Sequence, residues 1–172
     1  MAIQFADTLG YGAAEGRTLA VAAMKVCVLY GGRSGEHEVS LRSAASVVRN
    51  LDRGRYEIIA IGIDRKGQWH LQSRIAMQEV PGQGDILALV LSDHPLSVVP
   101  ADGVHDQGKK LAIDCVFPVL HGTFGEDGTV QGLLEIAGLP YVGAGVLGSS
   151  ISMDKETAKR LWRDAGIPIV DF

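Results

Sequence analysis

Residues 25–63 place the strongest constraint on the fold. The run KVCVLY (25–30) is short, apolar and β-branched in character, the pattern of a buried strand. A glycine-rich turn follows. Ala44, Val47, Val48 and Leu51 then recur at i, i+3, i+4 and i+7, which puts one apolar stripe on a helix. Gly54 suits the end of that helix, and YEIIAIGI (56–63) reads as the next strand. Such a strand–helix–strand crossover is right-handed, and its two strands are parallel.

The rest of the chain extends this plan. RKGQWHL reads as a hairpin turn into a short strand, with Gly67 at a positive-φ position. Residues 73–109 are rich in glycine and proline and read as an irregular insertion with one strand. AIDCVFPVL (112–120) is strand again, and HGTFGEDG is a turn. Val130, Leu133, Leu134 and Ala137 repeat the helical stripe, closed by Gly138. LPYVG reads as a last short strand. Asp154 can cap a final helix with the stripe Ala158, Leu161, Trp162 and Ala165, ended by Gly166 and Pro168. Strands alternating with helices predict an α/β domain: an open, mostly parallel sheet with helices on both faces. Residues 1–23 lack a basic start followed by a long apolar run, so they are a poor signal peptide and read as an extension outside the fold.

Composition bounds the function. A 172-residue chain that is 47% hydrophobic and 21% charged can bury a real core. A net charge of −4 disfavours a nucleic-acid or anionic-membrane surface. The longest apolar stretch, ILALVL, is far short of the roughly 20 residues that a membrane helix needs. Cys27 and Cys115 sit in apolar runs and read as buried thiols of a reducing compartment.

Ligands of open α/β sheets sit beyond the C-terminal strand ends. GGRSGEHE and HGTFGEDG occupy two such ends, and both carry carboxylates and a histidine. Ser34 is a poor nucleophile, because Glu36 stands where G-x-S-x-G needs its last glycine. No Walker loop exists. GAGVLG is a literal G-x-G-x-x-G at Gly143, Gly145 and Gly148, but Asp164, the acidic residue at the right spacing, falls in a helix. The five histidines show no metal-ligand spacing. His37 and His70 read as surface residues, whereas His121 ends a buried strand where it can touch a ligand. Lys155 opposes the dipole of its helix start by a few tenths of a kcal/mol, a mild conflict expected of an anion-binding residue.

Together GGRSGEHEVSL, FPVLHGTFGEDGTVQGLLEIAGLPYVG and SMDKETAKRLWRDAG resemble the N-terminal part of the bacterial D-alanine–D-alanine ligases of the ATP-grasp superfamily. The resemblance implies a Rossmann-like pre-ATP-grasp domain over 24–145 and, over 146–172, the start of the segment leading into the ATP-grasp domain. It implies a cytoplasmic, homodimeric ligase of peptidoglycan precursor synthesis that uses ATP and Mg²⁺, with metal ligands outside this chain. It implies that Glu36 faces the ammonium of the first D-alanine, and that Val39, Ser40 and Gly122 line the same pocket. His121 would lie near the reacting carboxylate, and Lys155 would reach the nucleotide phosphates. The chain stops where the family continues, so it is expected to be inactive alone. Two other readings are a stand-alone amino-acid-binding or dimerisation module and, from GAGVLG, a nicotinamide-dependent oxidoreductase.

Overall fold

The computed structural model of the chain describes residues 22–82 and 84–171. Nearly all of the 1–23 extension lies outside the described residues. In chain order the elements are β1 (Met24–Gly31), α1 (His37–Asn50), β2 (Tyr56–Ile63), β3 (Trp69–Leu71), β4 (Met77–Val80), β5 (Gly84–Leu87) and β6 (Ser97–Val99). They continue with β7 (Gly103–Asp106), β8 (Lys109–Lys110), β9 (Cys115–Val119), α2 (Thr129–Ile136), α3 (Val146–Met153) and α4 (Lys155–Asp164). The main sheet has the order β3-β2-β1-β9. β1 is parallel to β2 and to β9, and β3 closes one edge antiparallel to β2. This is the expected α/β sheet.

The alternation of strand side chains divides the core in two. Val28 and Tyr30 point towards α1 and meet Leu41, Ala44, Ala45 and Val48. Cys27 and Leu29 point the other way and meet Val130, Leu134 and Ala137 around α2. Helices therefore cover both faces. Burial pushes the Cys27 thiol far above its ordinary pKa, with the nearby Cys115 adding to the shift. Neither cysteine forms a disulfide.

The segment 73–109 is not irregular. β4 and β5 form one antiparallel pair, and β6, β7 and β8 form a small three-stranded sheet. These strands have two to four residues each, too few to show a hydrophobic period. The β7–β8 turn has positive φ at both central residues, Gln107 (48°) and Gly108 (80°), as a two-residue hairpin of the I′ type requires. The segment feeds both cores: Leu87 packs on the α1 side, and Leu96 and Val104 on the α2 side. It is tied down by Tyr30, whose hydroxyl donates to the Ala88 carbonyl at 2.6 Å, and by an ion pair between Arg49 and Asp85.

Other boundaries also differ from expectation. α1 ends at Asn50 with Leu51 as its cap, so Gly54 belongs to the following turn, where its N–H donates to Asp52. LPYVG contributes only one parallel bridge, Val116 to Tyr141. On α4 only Ala158 is buried, and Leu161 and Trp162 remain 48% and 45% exposed. The Asp154 cap is as expected: its carboxylate accepts from Thr157 N at 2.8 Å. His70 is buried rather than superficial. Its Nδ1 accepts from Ser92 N at 3.0 Å, so its Nε2–H faces Asp64, 3.5 Å away. Burial raises the Asp64 pKa, but N–H groups of Gln68 and Lys66, together with His70, outweigh it and hold the carboxyl below its usual range.

The repacked segment is open to a direct test. Leu87 is 1% exposed, and Leu87→Ala is expected to destabilise the chain by about 2–5 kcal/mol. Urea unfolding followed by circular dichroism measures this. An irregular surface insertion would leave the midpoint unchanged.

Candidate functional site

Because β1 and β9 are parallel neighbours, with Tyr30 opposite Val119, the chain leaves both strands at the same edge of the sheet. Both glycine-rich turns therefore rise side by side. After β1 the backbone passes through Gly31 and Gly32 at φ of 91° and 103°. A Cβ on Gly31 would collide with the Ile63 carbonyl, so only glycine fits here. Gly32 N donates to that same carbonyl at 2.8 Å, which joins the turn to the end of β2.

Three serines hold the two turns in register. Ser40 is fully buried; its hydroxyl donates to the Val119 carbonyl and accepts from Gly31 N at 2.7 Å. It thus fastens the first turn of α1 to the ends of β1 and β9, and its oxygen faces backbone rather than a pocket. Ser34 Oγ donates to the His121 carbonyl at 2.6 Å and accepts from Glu36 N at 3.2 Å. Ser43, on the next turn of α1, places Oγ 3.0 Å from Nε2 of His121. His37 is buried as well. Its Nδ1–H donates to the Gly32 carbonyl at 2.7 Å, which closes the first turn on itself.

Glu36 is the N-cap residue of α1, yet its side chain makes no cap hydrogen bond. The carboxylate instead crosses to the second turn. A Cβ on Gly122 (φ 70°) would lie 2.6 Å from Glu36 Oε2, so the carboxylate rests against the Gly122 α-carbon. Its charge stays at the electropositive end of α1, exposed towards solvent. The His121 side chain is 29% exposed, with Nδ1 3.8 Å from Glu126 Oε1. The other Glu126 oxygen accepts from Gly122 N at 2.7 Å. Burial raises the Asp127 pKa, but N–H groups of Phe124 and Thr129 more than reverse this and hold the carboxyl below its usual range. Asp127 thereby fixes the turn, and Phe124 is kept at φ 66° beneath the Arg33 guanidinium, 4.7 Å from the ring centre.

The structure thus brings Glu36, Gly122, His121 and Ser40 together, with Val39 partly exposed on the same turn of α1. Lys155 stands apart, exposed at the start of α4. A cavity of about 560 Å³ opens beside the site, lined by Ser34, Trp69, Leu120, His121, Phe124 and Leu133 among others. Glu36 and Val39 do not line it. Ser34, Ser43 and Glu126 are the site residues that motif reading passed over. The one sequence signal was spacing, since Ser43 lies three positions after Ser40 on the same helix face. Among the described residues no three His, Cys, Asp or Glu side chains form a group able to hold a metal ion. The GAGVLG turn follows a single bridge rather than a strand of the sheet, and Asp164 ends α4, so the dinucleotide fingerprint lacks its framework.

Ser40→Ala leaves a buried N–H and a buried carbonyl without their partner. It is expected to cost about 1–3 kcal/mol in chemical denaturation. A loss of a few tenths would show that the Ser40 hydroxyl does not hold the two strand ends.

A protein-family profile described as "D-ala D-ala ligase N-terminus" matches residues 25–144. The chain is 50% identical over 149 residues to a D-alanine–D-alanine ligase of Solibacter usitatus, covering 87% of this chain and 37% of that protein. It is 48% identical over 154 residues to one from Bradyrhizobium, covering 87% and 42%. Among solved structures, the D-alanine–D-alanine ligase of Coxiella burnetii superposes with a TM-score of 0.72 at 36% identity, over 88% of this chain and 44% of that one. The VanG D-Ala:D-Ser ligase of Enterococcus faecalis gives 0.71 at 34%, over 87% and 44%. The chain spans about two fifths of the length of the curated relatives it matches. It belongs to the family defined by the N-terminal region of the D-alanine–D-alanine ligases.

Proposed function

We propose that this chain is the first-substrate half-site of an ATP-dependent D-alanine–D-alanine ligase. The observation that carries the reading is the Glu36 carboxylate. It leaves its own helix end uncapped and lies against Gly122, beside His121, at the shared edge of two parallel strands. A carboxylate so placed can take the ammonium of an amino acid in a charge-assisted hydrogen bond. In this reading Val39 and the Gly122 backbone bound the same space, and Ser40 ties together the two strand ends that support it.

In the reaction the first D-alanine carboxylate attacks the terminal phosphate of ATP, the β,γ-phosphoanhydride bond breaks with ADP leaving, and the carboxylate becomes an acyl phosphate. The amine of the second D-alanine then attacks that carbonyl and releases inorganic phosphate. In this chain Glu36 orients the first substrate through its ammonium. His121 presents a donor where negative charge builds at the reacting carboxylate. Lys155 supplies a cation for the nucleotide phosphates. Mg²⁺, the metal implied for such a ligase, finds no ligand group among the described residues. In the ligases this chain matches, most of the protein lies outside the region it covers.

The domain plan follows the same reading. Residues 24–145 form the substrate-binding unit, and 146–172 lead towards the ATP-grasp domain, whose contact surface would include exposed Leu147 and Trp162. The family reading also makes the protein a cytoplasmic homodimer acting in peptidoglycan precursor synthesis. Among the described residues no helix is long and apolar enough to cross a membrane.

Two binding experiments test the assignment. D-alanine titrated into the ¹⁵N-labelled chain is expected to shift the amides of residues 34–40 and 121–123. Glu36→Gln should weaken that binding by about tenfold to a hundredfold, the worth of a hydrogen bond to a charged group. Wild-type affinity in Glu36→Gln would reduce Glu36 to a surface carboxylate. His121→Ala, by contrast, should keep D-alanine affinity within about twofold, because its partner charge develops only during reaction. A large loss of ground-state binding in that variant would move His121 from charge stabilisation to substrate binding.

A further inference from the structure

The His121 ring is held from both sides. Ser43 Oγ lies 3.0 Å from Nε2, and Glu126 Oε1 lies 3.8 Å from Nδ1. The backbone beneath the ring is fixed too: the His121 carbonyl accepts from Ser34 Oγ at 2.6 Å, and Gly122 N donates to Glu126 at 2.7 Å. A neutral imidazole carries its proton on one nitrogen and accepts at the other. An ionised carboxylate only accepts, and at 3.8 Å the Glu126 charge favours the proton on Nδ1 without a hydrogen bond, which leaves the bare Nε2 to take the Ser43 hydroxyl proton.

We infer that Ser43 is a positioning residue that sets the His121 tautomer with the proton on Nδ1. The partner of one ring nitrogen decides which nitrogen acts at the other edge. At 3.8 Å Glu126 is beyond hydrogen-bond reach of Nδ1. The Nδ1–H is therefore available to an oxygen of a bound ligand, and Nε2 is withdrawn from the chemistry. This deepens the proposed function by naming the donor atom, and its catalytic meaning rests on that reading.

The test uses the chain itself with ring-¹⁵N histidine, above the pH where the imidazoles are neutral. Long-range ¹H–¹⁵N correlations are expected to show His121 with a protonated Nδ1 and a bare Nε2. Ser43→Ala should move the ratio towards the Nε2–H form that free histidine favours in water, by about fivefold, the worth of one neutral hydrogen bond. Ser43→Thr should restore the wild-type ratio. A wild-type ring with Nε2 protonated, or ring nitrogen shifts unaltered in Ser43→Ala, overturns the inference. If Ser43→Ala does not fold, Ser43→Cys, of similar size and a weak donor, takes its place with the same criterion. A Ser43-dependent tautomer in a chain that shows no D-alanine response would sink the ligase reading and leave the role of Ser43 standing. A D-alanine response with a Ser43-independent tautomer would do the reverse.

Discussion

β1 is hydrogen-bonded along both edges, to β2 and to β9, and its side chains from Val26 to Tyr30 are buried on both faces. The remaining architecture is arranged around it. The parallel pairing sends the following turns out at one edge, and the alternation of side chains divides the core between α1 and α2. A parallel strand cannot return by a tight hairpin. The chain therefore leaves β1 and β9 through loops that lead to α1 and α2, whereas β2 turns back into antiparallel β3, and the two helix-bound loops contribute backbone and polar groups at the same rim. The site is in this sense a by-product of sheet topology, sharpened by the residues at the turns.

Hydroxyl groups convert that rim into a fixed geometry. Ser40 uses its oxygen twice on the backbone of the two strand ends, and Ser34 does the same between Glu36 N and the His121 carbonyl. These small side chains bond the turn backbone, while the Glu36 carboxylate makes no cap hydrogen bond to α1. The charged group stays near the helix end that favours it, with its oxygens turned towards the second loop. The free-energy cost of an uncapped helix start is modest, about 0.5–2 kcal/mol, and a rim built this way presents one carboxylate and one imidazole without burying either.

The strand–helix–strand unit of 25–63 was legible because its signals are local: a β-branched run, a four-residue stripe and a second run. The α2 stripe with Gly138 (φ 71°) and the Asp154 cap were legible for the same reason. Strands β4 to β8 were not, since two to four residues cannot show a period and their turns have mixed chemistry. His70 escaped because its partners are a backbone N–H 22 positions away and a carboxylate in the preceding turn. At the site, both turns and the place of His121 could be read from topology. The serine roles could not: their partners lie 78 to 87 positions away, and a serine in a helix or loop looks the same whether solvated or buried.

The Ser40 clasp bears on how the molecule assembles. It joins Gly31 to Val119 through a hydroxyl that is 79 positions from its acceptor, and the small sheets of 77–110 lie between β2 and β9 in the sequence. Contacts of such long sequence separation pay their loop-closure entropy before they return any stabilisation, which slows folding. β1, α1 and β2 can form from neighbouring sequence, but the rim that joins Glu36 to Gly122 exists only after β9 has docked. The approach of Glu36 to Gly122 therefore depends on a long-range docking event, and a nascent chain with only its first crossover in place presents the Glu36 carboxylate with no second loop beside it.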